Sequence, residues 1–166
     1  MVPLPEELAS ALRSLSTLTL AYTDAEGPQA CAVLYAVADP SAASLVFVSD
    51  PVATRHGRAL AAGGSEGAAV AFTAQADGQE WSRLTGLQGR GRCRRAVGAE
   101  REAAFAAYAD RFPFVREDAR LRAALAATAL WELRPTWLRS VDNGRGFGHK
   151  TEWTRPTAPP SAGCSG

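Results

Sequence analysis

The sequence predicts a six-stranded antiparallel β-barrel with helices at its periphery. Six short segments have the alternation, or the β-branched and aromatic content, that is typical of strands, and few helical segments separate them. The regular alternation of strand and helix that builds a parallel sheet is missing. Gly89 and Gly91 fall on one face of the fifth strand, and small residues there favour the inner wall of a narrow, strongly curved barrel.

The chain has 166 residues, of which 46% are hydrophobic, and this is enough for one domain with a substantial core. Its formal net charge of +1 does not indicate an acidic partner. No segment approaches the ~18 apolar residues of a membrane span, and the first residues are acidic where a signal peptide is basic. We therefore expect a cytoplasmic protein that acts on a small molecule and binds neither nucleic acid nor membrane.

Cysteine and histidine are too few and too scattered to indicate a metal site. The 3 cysteines are odd in number and form no Cys-x-x-Cys pair, and the chain has only 2 histidines, His56 and His149. We predict neither a disulfide framework nor a bound metal.

The first half of the chain predicts a helix followed by three strands. Pro5 suits a first helical turn, and apolar residues recur after it at helical spacing. Alternating residues 17–22 predict the first strand, and a turn at residues 24–27 leads into the second strand, residues 29–37. Residues 45–48 form a short apolar run that is typical of a buried strand.

The second half predicts three more strands and two helices. Residues 69–73 form the fourth strand, helices follow over residues 99–111 and 117–127, and the last strand covers residues 129–141. Within that last strand, Pro135 requires an edge position or a bulge.

The fifth strand covers residues 84–94 and contains several glycines that resemble a dinucleotide-binding motif. Because these glycines lie inside a strand and do not open a helix, we do not predict a Rossmann fold. Alternation places four polar side chains on its outer face: Gln88, Arg90, Arg92 and Arg94.

The loop after the third strand carries the clearest indication of a ligand. Ser49 ends the strand, and Thr54 is placed to cap a helix that begins with Arg55 and His56. Free backbone N–H groups beside cationic side chains attract an anion, and phosphate is the anion that we favour. The spacing is equally compatible with solvated basic residues on an ordinary strand–turn–helix.

Four segments together resemble a small, poorly characterised bacterial family within the pyridoxamine 5′-phosphate oxidase-like group. In order they read AVLYAV, SDPVATRHGRAL, GLQGRGR and WELRPTWLRSVDNGRGFGHKTEW. The likeness covers roughly residues 15–153, and its most specific parts are the TRHG and DNxxGFGxK motifs. It implies a split β-barrel, a homodimer, and flavin mononucleotide (FMN) held at the subunit interface.

The resemblance also implies which residues hold the cofactor. The backbone of the second strand lies along the flavin ring, side chains after the third strand bind the phosphate, and a fifth-strand residue meets the cofactor from near the dimer interface. In this sequence the matching positions are Ala32, Val33, Leu34 and Tyr35, then Ser49, Thr54, Arg55 and His56, and finally Gln88. His56 stands where better-known oxidases have lysine, and a neutral imidazole is a weaker partner for phosphate.

Two classes of function are compatible with this resemblance. The first is an FMN-dependent oxidoreductase acting on an unidentified small molecule, with a deazaflavin-dependent reductase as a variant; the cofactor carries the electrons, so no catalytic residue is assigned. The second is a non-enzymatic module that stores or senses flavin, haem or another planar ligand. The closing segment that binds pyridoxal phosphate in true oxidases is not reproduced, so oxidation of pyridoxamine phosphate is not implied.

Three features admit two interpretations each. Tyr35 either covers the flavin or packs in the core. The arginine face of the fifth strand either meets an anionic ligand or is solvated. The loop at residues 144–150 either closes over a ligand or is a simple turn. We expect residues 1–153 to form one flavin-binding domain and residues 154–166 to form a disordered tail, because the tail has no core-forming residues.

Overall fold

The computed structural model describes residues 3–156 and shows an antiparallel barrel with helices around it. The strands are β1 (Thr17–Asp24), β2 (Gly27–Asp39), β3 (Ser44–Ser49), β4 (Ala68–Ala74), β5 (Thr85–Arg95), β6 (Ala129–Asp142) and β7 (Lys150–Thr154). The helices are α1 (Glu6–Ser14), α2 (Arg55–Ala61), α3 (Gly98–Arg111), α4 (Phe114–Glu117) and α5 (Ala119–Ala127).

Six strands close into a ring, as the sequence predicted. The sheet runs in the order β3-β2-β1-β4-β5-β6-β7, and an additional pairing of β3 with β6 closes the circle. One edge of β6 pairs with β5 along its length, while the other edge pairs first with β3 and then with β7. Because β3 and β7 share that edge, the wall divides there, and the fold is a split barrel.

The seventh strand was absent from our sequence prediction. Only one of the five residues of β7, Trp153, is buried, so the segment lacks the apolar pattern of a strand. Thr154, the first residue of the predicted tail, ends β7, and the backbone N–H of Arg155 still donates to the carbonyl of Thr136 at 2.9 Å. The rest of that tail, residues 157–166, lies outside the described residues.

Two apolar clusters hold the elements together. The larger cluster fills the barrel and includes Trp131 and Phe47, with Leu8 and Leu12 of α1 packed against it. The smaller cluster lies between the outer side of the barrel and the α3–α4 region, around Tyr108. The helix predicted over residues 117–127 begins later, because Asp118 caps α5 by accepting hydrogen bonds from two backbone N–H groups.

A β-bulge interrupts the β5–β6 ladder at Pro135, as the sequence required. Arg90 is paired with Trp137 and Gly91 with Pro135, so Thr136 is the extra residue. Proline has no N–H to donate to a ladder, and the bulge absorbs that defect. Beyond the bulge the alternation is shifted by one residue, so Leu138 faces the core and Trp137 faces outward.

None of the helices within residues 3–156 is long and apolar enough to cross a membrane.

The close approach of β5 to β6 makes a testable prediction about Gly91. A Cβ atom there would lie 2.2 Å from the carbonyl oxygen of Arg134, and backbone cannot move away as a side chain can. We expect Gly91→Ala to lower the free energy of unfolding by about 1–3 kcal/mol, measured by urea denaturation. Gly86→Ala is the matched control on the same strand, because its Cβ would meet nothing closer than 3.8 Å. Equal stability of the two variants would contradict the close approach.

Candidate cofactor site

Three side chains that the sequence assigned to a phosphate meet where β3 leads into α2. The Ser49 hydroxyl oxygen lies 2.7 Å from the Thr54 hydroxyl oxygen and 2.7 Å from Nε2 of His56. Ser49 is buried, whereas Thr54 and His56 are half-buried. We call these three residues the hydroxyl–imidazole cluster.

The cluster is held by the start of α2. Thr54 is the N-cap, as predicted: its hydroxyl accepts the N–H of Gly57 at 3.0 Å and donates to the carbonyl of Asp50 at 2.7 Å. A Cβ at position 57 would lie 2.0 Å from that same carbonyl, so only glycine fits. This explains why the TRHG motif ends in glycine.

Counting protons assigns the direction of each hydrogen bond in the cluster. The single Thr54 proton is used on the Asp50 carbonyl, so the Ser49 hydroxyl must donate to Thr54. Ser49 then accepts from His56, which requires the proton of the neutral ring to be on Nε2. The cluster therefore satisfies itself internally, with Nδ1 of His56 left as an acceptor.

His56 is neutral at physiological pH. Burial lowers the pKa of its imidazole, and the ring packs against Tyr22 with centroids 6.3 Å apart. Among residues 3–156, the hydrogen-bond partner of this ring is the Ser49 hydroxyl and not a carboxylate. The histidine that stands in place of a lysine is thus an uncharged partner for an anion.

Arg55, which the sequence placed on the phosphate, is engaged elsewhere. Its guanidinium donates to Asp24 at 2.6 Å and to Glu26 at 2.6 Å, two acids of the β1–β2 turn. The hydrogen bond from Arg55 is the main cause of a lowered pKa for Asp24. The sequence did not predict that these two acids pair with Arg55, because nothing in the turn sequence DAEG indicates which cation it faces.

The β2 residues assigned to the flavin ring divide between two faces. Val33 and Tyr35 point into the core, and the Tyr35 hydroxyl donates to the carbonyl of Leu12 at 2.8 Å. Ala32 and Leu34 are exposed on the outer face. The Tyr35 side chain is therefore a core residue, and its backbone N–H donates to the carbonyl of Ser16 at 2.9 Å. Burial raises the pKa of its hydroxyl.

Gln88 lies on the outer face of the barrel but far from β2. The register pairs Ala32 with Thr19, Thr19 with Thr73, and Thr73 with Gln88. Three strand spacings separate Ala32 from Gln88, roughly 14 Å. Within one chain, Gln88 is therefore not brought to the β2 residues that were assigned to the flavin ring.

The outer face between β2 and β5 carries almost no large side chains. Leu34, at 42% exposure, is its one large apolar residue. We call it the small-residue face, and its members are Thr17, Thr19, Ala21, Ala30, Ala32, Ala69, Ala71 and Thr73.

The loop at residues 144–150 is an ordered turn at the opposite end of β6 from the cluster. The Asn143 side chain accepts from the N–H of Gly148 and donates to the carbonyl of Trp81, which ties this loop to the one before β5. Phe147, 81% exposed, packs on the Trp81 ring at 5.2 Å. The loop cannot close over the Ser49 cluster of its own chain.

Residues 3–156 contain no group of three or more metal-ligating side chains. His149 lies 3.7 Å from the carboxylate of Glu7 on α1, well away from His56 on α2.

Curated relatives cover most of the chain. It is 30% identical over 125 residues to a UPF0306 protein of Klebsiella pneumoniae, a match that spans 75% of this chain and 76% of the relative. It is 32% identical over 130 residues to the UPF0306 protein YhbP of Salmonella paratyphi B, over 78% of this chain and 80% of the relative. The chain belongs to the UPF0306 family. No protein-family model matches it.

Solved structures similar to this UPF0306 protein are split barrels of the pyridoxamine 5′-phosphate oxidase-like type. The conserved hypothetical protein Rv2991 of Mycobacterium tuberculosis has a TM-score of 0.68 and 18% identity, over 97% of this chain and 95% of that one. A heme-binding protein of Mycobacterium smegmatis has a TM-score of 0.66 and 24% identity. The match spans 93% of this chain but only 59% of that protein. A FAD-binding protein of Mesorhizobium loti has a TM-score of 0.59 and 16% identity, over 84% and 95% of the two chains.

Burial of His56 makes the stability of this UPF0306 protein dependent on pH. The folded-state pKa is below the unfolded value of about 6.5, so the unfolded chain binds the proton first as pH falls. Stability from this residue is present above about pH 6.5 and is lost on acidification through that value. We expect the free energy of unfolding to fall between pH 7.5 and 5.5, and to fall less in His56→Gln. Urea denaturation at a series of pH values measures this free energy. The same dependence on pH in wild type and His56→Gln would contradict the buried, neutral imidazole.

Proposed function

We propose that this UPF0306 protein binds FMN, with the flavin ring along the backbone of β2 at residues 32–35 and the phosphate at the hydroxyl–imidazole cluster. The observation that carries the proposal is the convergence of three side chains at the start of a helix, where the Ser49 hydroxyl lies 2.7 Å from both Thr54 and His56. Ser49 lies two residues beyond Phe47, the ladder partner of Tyr35, so the cluster flanks the β2 stretch. The flavin-binding split barrel of Mesorhizobium loti supports the same class of ligand.

Binding a phosphate requires the cluster to reorganise. The Ser49 and Thr54 hydroxyls would turn their protons from each other and from Asp50 towards phosphate oxygens, and His56 would donate from Nε2. Arg55 would exchange its carboxylate partners for the phosphate dianion, which offers charge-assisted bonds of the same kind. The free-energy cost of this exchange is small, because the ion pair is exposed to solvent.

The reaction that we propose is an FMN-dependent oxidation or reduction of an unidentified small molecule. The flavin supplies the electron-transfer chemistry when bound, and the chain holds and orients it. The side chains of the cluster have no role other than binding in this proposal, and no residue is assigned as a catalytic acid or base. The TRHG motif is part of the binding site, and we take it and DNxxGFGxK as marks of the subfamily.

We further propose that the protein is a homodimer and that the site is completed by the second copy. Gln88 is roughly 14 Å from Ala32 of its own chain, too far to meet a flavin ring that lies along β2, so a neighbouring copy would bring it to the flavin. The small-residue face supports this assembly, because a face of alanines and threonines allows two sheets to approach closely. The exposed Leu34 at its margin supplies apolar area.

Haem is the second candidate ligand, and the state of the cluster favours it. A phosphate site whose cation is already paired with Asp24 and Glu26 is weak, whereas a neutral imidazole is a common metal ligand. The heme-binding split barrel of Mycobacterium smegmatis supports this class of ligand. In this alternative the protein stores or senses haem and is not an enzyme.

The absorption spectrum and the mass of the molecule that co-purifies separate these candidates. Flavin bands with the mass of FMN support the proposal, a Soret band supports haem, and the mass of a deazaflavin supports the reductase variant. A protein that takes up none of the three when each is added would overturn both candidates.

Arg55 and its two carboxylate partners give a sharper test of the phosphate. We expect Arg55→Ala to weaken FMN binding about tenfold and to leave riboflavin, which has no phosphate, unchanged. We expect Asp24→Asn with Glu26→Gln to tighten FMN binding about two- to fivefold, because Arg55 is released. Asparagine keeps the turn, since its side-chain oxygen still accepts the N–H of residue 26. Quenching of flavin fluorescence measures each of these affinities against wild type.

The matched control is Arg58→Ala, three residues further along α2, whose guanidinium donates to the carbonyls of Val52 and Ala53. It should leave FMN affinity within about twofold of wild type. Equal losses for FMN and riboflavin in Arg55→Ala would assign a packing role to Arg55 and remove it from the phosphate site.

The proposed interface is tested by a charge placed at its centre. Ala71→Glu puts a carboxylate on the small-residue face, and burying it between two copies without a partner is strongly unfavourable. We expect light scattering to give a dimer for wild type and a monomer for this variant at micromolar concentration. Ala123→Glu, on the exposed side of α5, is the control that should remain dimeric. A monomeric wild type would refute the assembly.

A further inference from the structure

A tyrosine beside the hydroxyl–imidazole cluster carries an unused hydrogen-bond donor. The Tyr22 ring, on the inner face of β1, lies against the His56 ring with centroids 6.3 Å apart. Tyr22 is only 7% exposed, and a tyrosine hydroxyl that is buried to this degree usually has a partner. Within residues 3–156, however, the Tyr22 hydroxyl forms no hydrogen bond.

This hydroxyl is open to a ligand and remains protonated. In the described part of the chain, the buried side-chain atom that lacks a partner is Nε2 of His149, so the Tyr22 oxygen itself must be reached by solvent. Burial raises the pKa of the Tyr22 hydroxyl, and smaller effects come from Cys31, Arg55 and Asp24. The group is therefore a proton donor at neutral pH, next to the arginine that the proposed function places on the phosphate.

An unbonded tyrosine hydroxyl is not enough by itself to indicate a ligand. Tyr108, in the smaller apolar cluster, has the same 7% exposure and also forms no hydrogen bond within the described residues. Its surroundings are apolar, because its ring packs on Phe112 with centroids 4.8 Å apart, and burial alone raises the pKa of its hydroxyl. Tyr22 differs because its neighbours His56 and Arg55 are side chains that bind anions.

We propose that the Tyr22 hydroxyl donates to the phosphate of FMN and makes the site specific for a terminal phosphate. This inference rests on the proposed FMN site. A terminal phosphate has three unshared oxygens, whereas each phosphate of FAD has two, because a second link takes up the third. The adjacent hydroxyls of Ser49 and Thr54 serve one oxygen, and Arg55 with His56 serves another. Tyr22 then supplies the donor for the third oxygen, which FAD does not offer.

The unbonded state of the hydroxyl separates a role in binding from a role in folding. The hydroxyls of the cluster must give up internal acceptors when a phosphate binds, but the Tyr22 hydroxyl has no protein acceptor to lose. Its bond to a charged phosphate is therefore a net gain on binding. Replacing Tyr22 by phenylalanine removes no hydrogen bond from the free protein, so its stability should not fall.

The test measures the affinities of FMN, FAD and riboflavin for the full-length protein, stripped of bound flavin, by isothermal titration calorimetry. We expect wild type to bind FMN about tenfold or more tightly than FAD. Tyr22→Phe should weaken FMN binding about tenfold and change the affinities for FAD and riboflavin by less than about twofold. Urea denaturation of the free protein should give a midpoint for Tyr22→Phe that is no lower than that of wild type.

Tyr108→Phe is the matched control, because it removes the same atom from an equally buried tyrosine in the other apolar cluster. It should leave all three affinities within about twofold of wild type. An equal loss for FMN, FAD and riboflavin in Tyr22→Phe would assign the tyrosine to packing and overturn the inference. If wild type prefers FMN to riboflavin and Tyr22→Phe keeps that preference, the role of Tyr22 alone is refuted. If wild type binds FMN no more tightly than riboflavin, the proposed phosphate site is itself refuted.

Discussion

The short ladder between β3 and β6 is the interaction on which the rest of the structure depends. It pairs Leu45 with Leu133 at one end and Ser49 with Ala129 at the other, and without it the six strands would form an open sheet. The indole N–H of Trp131 donates to the carbonyl of Ser49 at 3.0 Å, so a core residue also fixes the end of β3. The contacts that close the barrel therefore also fix the position of the hydroxyl–imidazole cluster.

The cluster shows how a polar site is kept intact without a ligand. Each hydroxyl proton has an acceptor, the imidazole is neutral, and the Arg55 guanidinium is paired with the acids of the β1–β2 turn. Because unmade hydrogen bonds in a buried place are costly, internal pairing stabilises the free protein. Any ligand must then compete with those internal partners, which weakens binding.

Strands and caps were the features best predicted from the sequence, because their causes are local. The alternation of β1 and β5, the Thr54 cap and the demand of Pro135 for a bulge all follow from neighbouring residues. β7 could not be predicted in this way, since it is stabilised by pairing with β6 and has almost no apolar pattern of its own. The start of α5 at Asp118 was not predicted, because the residues on both sides of Asp118 are ones that are common in helices.

The sequence by itself determined the barrel, the glycines on the inner face of β5, and the group of hydroxyl and imidazole side chains after β3. Only the tertiary structure decided what those side chains touch: Arg55 turns to the acids of the β1–β2 turn, and Tyr35 bonds to α1. It alone brought Trp137 between two arginines, because one extra residue at a proline reverses the faces of everything after it. Periodicity can be read from neighbouring residues in the sequence. The partners of a residue across strands depend instead on the register, and the register is fixed only when the barrel closes.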